Sequence, residues 1–254
     1  MRGIILENLI SVGYQCPWVD QTIENLEKYT KNEKILFNTL DVSMNRHDRK
    51  IVFPFMIAVD GQVTTGSPVY PSNVSDLLKK EYNDFVKNET DMQDDNLDII
   101  RSLDSYTIDD SIRVCCNNEK INCRKKLWYV QNSDLFFGYV GYKSNKPVCI
   151  IDIIESDKFS CFDTIQCNKI IHILCVYSND KKYNYIKSMF KMIMPELSGK
   201  YDGMQIIVAE NSYYPNGNIA LFENIGFVKI KNLGSTYLLK KGYDNIFLMF
   251  KLLT

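Results

Sequence analysis

Lys181 and Lys182 stand just ahead of an apolar helix face formed by Ile186, Met189, Phe190 and Ile193. At the start of a helix, unpaired backbone N–H groups and the positive end of the dipole favour an anion, and two ammonium groups add point-charge attraction for a phosphate. His172 lies in the apolar run from Ile170 to Tyr177 and has the ordinary pKa that suits proton transfer near neutrality, although a single histidine in such a run is more often a core residue. Asp91, Asp94 and Asp95 would suit calcium or a cationic ligand, but the glycine and closing glutamate of an EF-hand loop are missing, and a solvated loop is the plainer reading. Among 8 cysteines only Cys115, Cys116 and Cys123 cluster, and with His47 and His172 the only histidines, a fourth zinc ligand is lacking. No metal site is expected, and the thiols are expected to be unbridged.

The elements that would position these residues follow from periodicity. Asp20 to Tyr29 reads as an amphipathic helix after the turn Cys16-Pro17-Trp18, and Ile51 to Val59 as an edge or bulged strand because Pro54 lies inside it. Asp60-Gly61 signals a hairpin returning through Gln62 to Thr65. Val74 to Val86 carries Val74, Leu77, Leu78, Tyr82 and Phe85 on one helical face. Asn88 to Asn96 is polar and acidic, the most linker-like stretch, and Leu97, Ile100 and Leu103 then suggest a short helix. From Ser111 the chain reads as short strands, Ile112 to Cys116, Leu127 to Val130, Leu135 to Tyr142 and Val148 to Ile154, in an antiparallel meander. Next come a strand from Ile170 to Tyr177, a helix from about Tyr183 to Met194, a strand from Met204 to Ala209, a short helix after Asn218, a strand from Phe227 and a final apolar run from Ile246 to Leu253.

The expected organisation is an N-terminal α+β region over 1–95 and a mixed α/β unit over 96–254. A 45% apolar chain of 254 residues can build a core of useful size. A net charge of −1 removes the usual electrostatic argument for nucleic acid or an anionic membrane. The first residues are too short and polar a run for a signal peptide or a membrane span, so a cytoplasmic protein is expected.

The segment Asn218-Ile219-Ala220-Leu221-Phe222-Glu223, followed by Gly226-Phe227, is the most specific stretch. Asn218 suits a helix cap, Ile219, Phe222 and Ile225 share a face, and Gly226 sits where a left-handed residue is wanted. The stretch resembles the C-terminal half of the GNAT acyltransferase superfamily, in which an Asn, an Ala, Leu-Tyr-Glu and Gly-Phe follow in this order. By element order the resemblance reaches from Ser111 to Thr254. It implies a mixed, mostly antiparallel sheet flanked by helices, with acetyl-CoA as cosubstrate and a small-molecule or peptide amine as acceptor. A homodimer is also within that expectation.

The resemblance also assigns roles. The family's pyrophosphate loop, Arg/Gln-x-x-Gly-x-Gly/Ala, falls here with Lys181 at its first position and its glycines on Asn184 and Ile186. Cys175 and Val176 on the preceding strand, Lys181, Lys182, Asn184 and Asn218 are the implied cofactor-binding residues. The strand's N–H would polarise the thioester, and the implied base is Glu155, His172 or Glu210. The family's usual tyrosine acid is Phe222 here, which leaves Tyr213 and Tyr214 as the phenols nearest that helix. A branched Ile186 in place of glycine crowds a phosphate or turns to the core. A non-catalytic ligand- or protein-binding module of the same fold is therefore the rival expectation, and a third is an enzyme of this fold using another donor, such as an aminoacyl-tRNA.

Overall fold

The computed structural model describes residues 5–10, 12–33, 35–42, 51–60, 62–65, 69, 92–116, 121, 123–158, 162–180, 182–213, 216–238 and 242–253. The expected helix at Val74 to Val86, the first residues of the acidic stretch, His47, Asp91, Lys181 and Tyr214 lie outside them.

The N-terminal part begins with β1 (Ile5–Ile10), α1 (Trp18–Glu33) and β2 (Leu36–Asp41), where β1 and β2 pair in parallel and the helix makes the crossover. β3 (Phe55–Val59) runs antiparallel to β1 and turns at Asp60, which has φ 47°, into β4 (Gln62–Thr65). Val19 and Leu26 of α1 bury against Leu6 of β1 and Ile57 and Val59 of β3, which forms a small separate core. Pro54 sits immediately before β3, where its missing N–H costs the ladder nothing.

The second part follows the order β6 (Ile99–Ser102), α2 (Ile108–Cys115), α3 (Lys125–Gln131), β7 (Phe136–Lys143), β8 (Lys146–Glu155), β9 (Ile170–Ser178), α4 (Ile186–Ser198), β11 (Gly203–Ala209), α5 (Ile219–Ile225), β12 (Val228–Leu238) and β13 (Gly242–Leu252). Seven of these strands lie in the order β12-β13-β11-β9-β8-β7-β6, and within that run only the β9–β11 pair is parallel. It is a mixed, mostly antiparallel sheet with helices on both faces and a small N-terminal sheet beside it. The two sheets join where β4 pairs in parallel with β12 through Thr64 and Thr65. A separate short ladder links β5 (Gln93–Asp94) to β10 (Tyr183–Asn184).

Two apolar layers cover the larger sheet. α2 and α3 lie over one face with Ile150, Ile154, Leu174 and Ile207. α4 and α5 lie over the other with Ile151, Ile153, Val176 and Ile206. Strand residues alternate between the layers, as period-two geometry requires. Among the described residues no helix is long and apolar enough to cross a membrane.

Three local expectations are corrected. Ile112 to Cys115, with Cys116 as the cap, and Leu127 to Val130 belong to helices α2 and α3, not strands. Their β-branched and aromatic composition is strand-like, but the buried positions Ile108, Ser111 and Val114, and Lys125, Trp128 and Tyr129, recur at helical spacing against the sheet. The Leu97-Ile100-Leu103 pattern is not a helix but leads into edge strand β6, because pairing with β7 satisfies its backbone while Leu97 and Leu103 enter opposite layers. Finally, Asp94 to Asn96 is no loose linker: the Gln93 and Asp95 N–H groups donate to the Lys182 and Asn184 carbonyls.

Candidate functional site

The β9–β11 ladder runs from Ile170 opposite Gly203 to Ile173 opposite Ile206 and stops there, although both strands continue. A register shift of β9 against β8 between Ile173 and Cys175 leaves Leu174 as an extra residue, which bends β9 away from β11. Into this parting comes the side chain of Asn216. Its Nδ2 donates to the Ile207 carbonyl at 3.0 Å, and the Val176 N–H donates to its Oδ1 at 3.3 Å. These backbone partners fix the orientation of the amide. Asn216 is buried, so one amide side chain satisfies a donor and an acceptor that the parted strands would otherwise leave open.

The loop that presents Asn216 is held by buried Asp244 of β13. That carboxylate accepts from the Asn211 N–H at 3.0 Å, the Ser212 N–H at 2.8 Å and the Asn211 Nδ2 at 3.0 Å. Asn218 then caps α5, its Oδ1 accepting from the Leu221 N–H at 3.0 Å, and Gly226 closes the helix at φ 93°. Phe222 is fully buried in a triangle of edge-to-face rings with Phe190 at 5.8 Å and Phe227 at 5.4 Å. A hydroxyl at that ring would need a partner inside an apolar layer, which accounts for phenylalanine there.

Beyond β9 the chain turns toward α4, and three amides of that turn are held by side chains of the chain. Asp180 Oδ1 accepts from the Lys182 N–H at 2.7 Å and the Tyr183 N–H at 2.9 Å. Asn184 Oδ1 accepts from the Ile186 N–H at 2.9 Å, an Asx turn made without a positive φ at Asn184. Ile186 turns into the apolar layer of α4 rather than toward the loop. Three carboxylates, Asp94, Asp95 and Asp180, surround this helix start, and Lys187 is paired with Asp94 at 2.7 Å. Lys182 is exposed, with its ammonium 4.9 Å from the centre of the Tyr183 ring. These residues do not fit a pyrophosphate: side chains of the chain already hold three amides of the turn, and three carboxylates stand at the approach, Asp94 paired with Lys187 and Asp95 with Lys143.

The other candidate residues divide between two ends of the sheet. Cys175, Val176, Glu210, Tyr213 and Asn218 lie at the end where β9 and β11 part. Glu210 is tied to Asn245, accepting from its Nδ2 at 2.7 Å, and Tyr213 is half-buried with its carbonyl accepting from the Gly217 N–H at 2.7 Å. Burial holds the Cys175 thiol well above the usual thiol range. Glu155 and His172 lie toward the start of β9, Glu155 opposite Ile171 and His172 opposite Gln205. At about 3.3 Å per residue that end is roughly 20 Å from Ser178. Glu155 accepts from the Tyr201 hydroxyl at 3.2 Å. His172 is buried beside Phe162, and burial pushes its pKa down to about 3, so the imidazole is neutral. His172 stands one residue before the ladder ends at Ile173, and about 13 Å along β9 from Val176 at that rise.

Periodicity gave no warning of the buried ion pair beneath the sheet. Lys125 of α3 contacts Asp152 at the middle of β8 at 2.7 Å, both fully buried, and Gln15 Nε2 donates to the same carboxylate oxygen. Burial alone would lower the Lys125 pKa, but the Asp152 charge and hydrogen bond hold it above its ordinary value. The one available signal was an aspartate amid the isoleucines of Cys149 to Ile154. Cys115, Cys123, Cys149, Cys167 and Cys175 are free thiols, and among the described residues no three His, Cys, Asp or Glu side chains are grouped to hold a metal.

No family model matches the chain, and no curated protein does. Among solved structures, 125 chains match it. The ribosomal-protein-S18-alanine N-acetyltransferase of Escherichia coli aligns over 61% of this chain and 94% of its own, at 11% identity and a TM-score of 0.47. A GNAT-family acetyltransferase of Streptococcus pneumoniae aligns over 61% and 98%, at 13% identity and 0.44. The spermidine N-acetyltransferase of Vibrio cholerae, solved with CoA and spermine, aligns over 61% and 95%, at 13% identity and 0.45. The chain is thus similar, over 61% of its length and at low identity, to many GNAT acetyltransferases.

Proposed function

We propose that this acetyltransferase-like chain serves as a GNAT-like binding module, and that the loop from Ser178 to Ile186 does not take acetyl-CoA. The observation that carries this reading is Asp180. Its carboxylate occupies the Lys182 and Tyr183 amides, two of the donors that this turn could offer an anion. An intramolecular carboxylate competes with a ligand at high effective concentration. Asn216 reinforces the reading, since it takes the Val176 N–H that would polarise an acyl group. Fold alone does not supply activity, which resides in the site.

A second reading is favoured by one contact. Asn216 meets the Val176 N–H at the long distance of 3.3 Å, and a side-chain amide is the group an amide-bearing ligand would replace. On that reading the chain is an acyl-CoA-dependent N-acyltransferase acting on an amine, with Asn216 and Asp180 displaced when the cosubstrate binds. Calorimetric titration with acetyl-CoA and with CoA separates the two. The module reading expects no saturable heat at millimolar ligand for the native chain, and none for Asp180→Asn, because Asp94, Asp95 and Ile186 remain. Saturable binding to the native chain that weakens with salt would establish the acyltransferase reading in its place.

A further inference from the structure

We propose that the cavity at the C-terminal end of α4 is a binding site for a small organic cation, an ammonium group carried on an apolar body. The cavity has a volume of about 240 Å³, and its walls include Phe137 and Tyr139 of β7 and Glu196, Lys200 and Tyr201. The Phe137 and Tyr201 rings lie nearly parallel, 7° apart with centroids 6.0 Å from each other. Aromatic faces attract a cation through their quadrupole, most strongly where water is partly excluded. The polar groups have the same preference. The Tyr201 hydroxyl donates to Glu155 at 3.2 Å, and Glu196 lines the cavity. A phenol that donates to a carboxylate keeps an electron-rich ring, and the Glu196 carboxylate adds negative charge to the lining. The end of a helix is also its electronegative end, which adds attraction for a positive group.

Lys200 is the one cation in the lining, and its position supports the assignment. Its ammonium leans on Glu196 at 3.5 Å, with both side chains about half exposed, so the chain sets an ammonium of its own at the mouth in a weak, displaceable contact. A free ammonium with an apolar body gains the ring faces that Lys200 leaves uncovered. The site lies at the opposite end of α4 from Asp180, about 20 Å away at 1.5 Å per residue, so it does not depend on whether the loop accepts acetyl-CoA.

The test is titration of the full chain with choline, and with the uncharged alcohol in which carbon replaces the choline nitrogen, followed by calorimetry and by the NMR shifts of isotope-labelled tyrosine rings. Choline is expected to bind saturably and to shift the Tyr139 and Tyr201 signals, with the alcohol weaker by about tenfold or more. Glu196→Gln should weaken choline by about tenfold, and Lys200→Ala should tighten it severalfold by removing the competing ammonium. Both side chains are surface-exposed, so folding is not at stake. Equal affinity for choline and the alcohol overturns the proposal. So do the absence of a saturable shift in both the native chain and Lys200→Ala, an unaltered affinity in Glu196→Gln, and an unaltered or reduced affinity in Lys200→Ala.

Discussion

Single side chains in this protein do the work that a ligand or solvent would otherwise do. Asp180 fills an amide cradle, Asn216 bridges parted strands and Asp244 collects the donors of the loop between them. His172 is the reverse case, a polar group whose Nδ1 is buried without a partner. Its folded pKa of about 3 lies below the ordinary 6.5, so the unfolded chain binds the proton first as pH falls. The stability that neutral His172 contributes is complete above about pH 6.5 and is lost progressively down to about pH 3, at up to ~1.4 kcal/mol per pH unit. Urea denaturation at a series of pH values should therefore show a shallower acid limb for His172→Leu than for the native chain. Parallel limbs would mean that His172 reaches solvent or a partner in solution.

Secondary elements were legible where a specific local device marks them. Around α5, the Asn218 cap and the left-handed Gly226 can both be read from residue type alone. α2 and α3 could not be read this way, because runs rich in Ile, Val, Trp and Tyr become helical only when a sheet is present to bury one face of them. The α5 devices make a quantitative expectation. Asn218→Ala should lower stability by about 1 kcal/mol through the lost cap, and Gly226→Ala by about 1–2 kcal/mol through left-handed strain. In thermal unfolding, a loss in Asn218→Ala too small to measure would show that tertiary packing, not the cap, fixes the start of α5.

At the scale of the whole molecule, the N-terminal segment reaches across to the second part in several places. Gln15 joins the Lys125–Asp152 pair, the Trp18 indole donates to the Cys115 carbonyl at 3.1 Å, and Arg124 pairs with Asp20 at 2.5 Å and lies over the Tyr14 ring. Together with the β4–β12 join, these contacts lead us to expect that residues 1–95 and 96–254 unfold in one step. Trp18 and Trp128 both report on this junction, so tryptophan fluorescence and far-ultraviolet circular dichroism should trace the same urea transition. Two separated transitions would make the halves independent units. Lys125→Met should shift that single transition by about 3–5 kcal/mol, since it leaves the Asp152 charge buried and unpaired.

Features that rest on local chemistry or on simple periodicity can be read from residue order: the α1 face, the Asp60 hairpin, the strands β7 to β9 and β11, and the α5 motif. Residue order also marked the weakness of the loop, through Ile186 at a position where a phosphate needs open backbone. Tertiary structure alone decided what replaces the missing glycines. The Asn216 bridge and the Lys125–Asp152–Gln15 cluster join residues whose partners lie in other elements, up to 137 positions apart in the chain, whereas Asp180 bonds the amides two and three residues on. Hydrogen bonds and ion pairs act over a few ångströms in space, and no local pattern of residue types encodes which distant strands will part or which buried charge must be met.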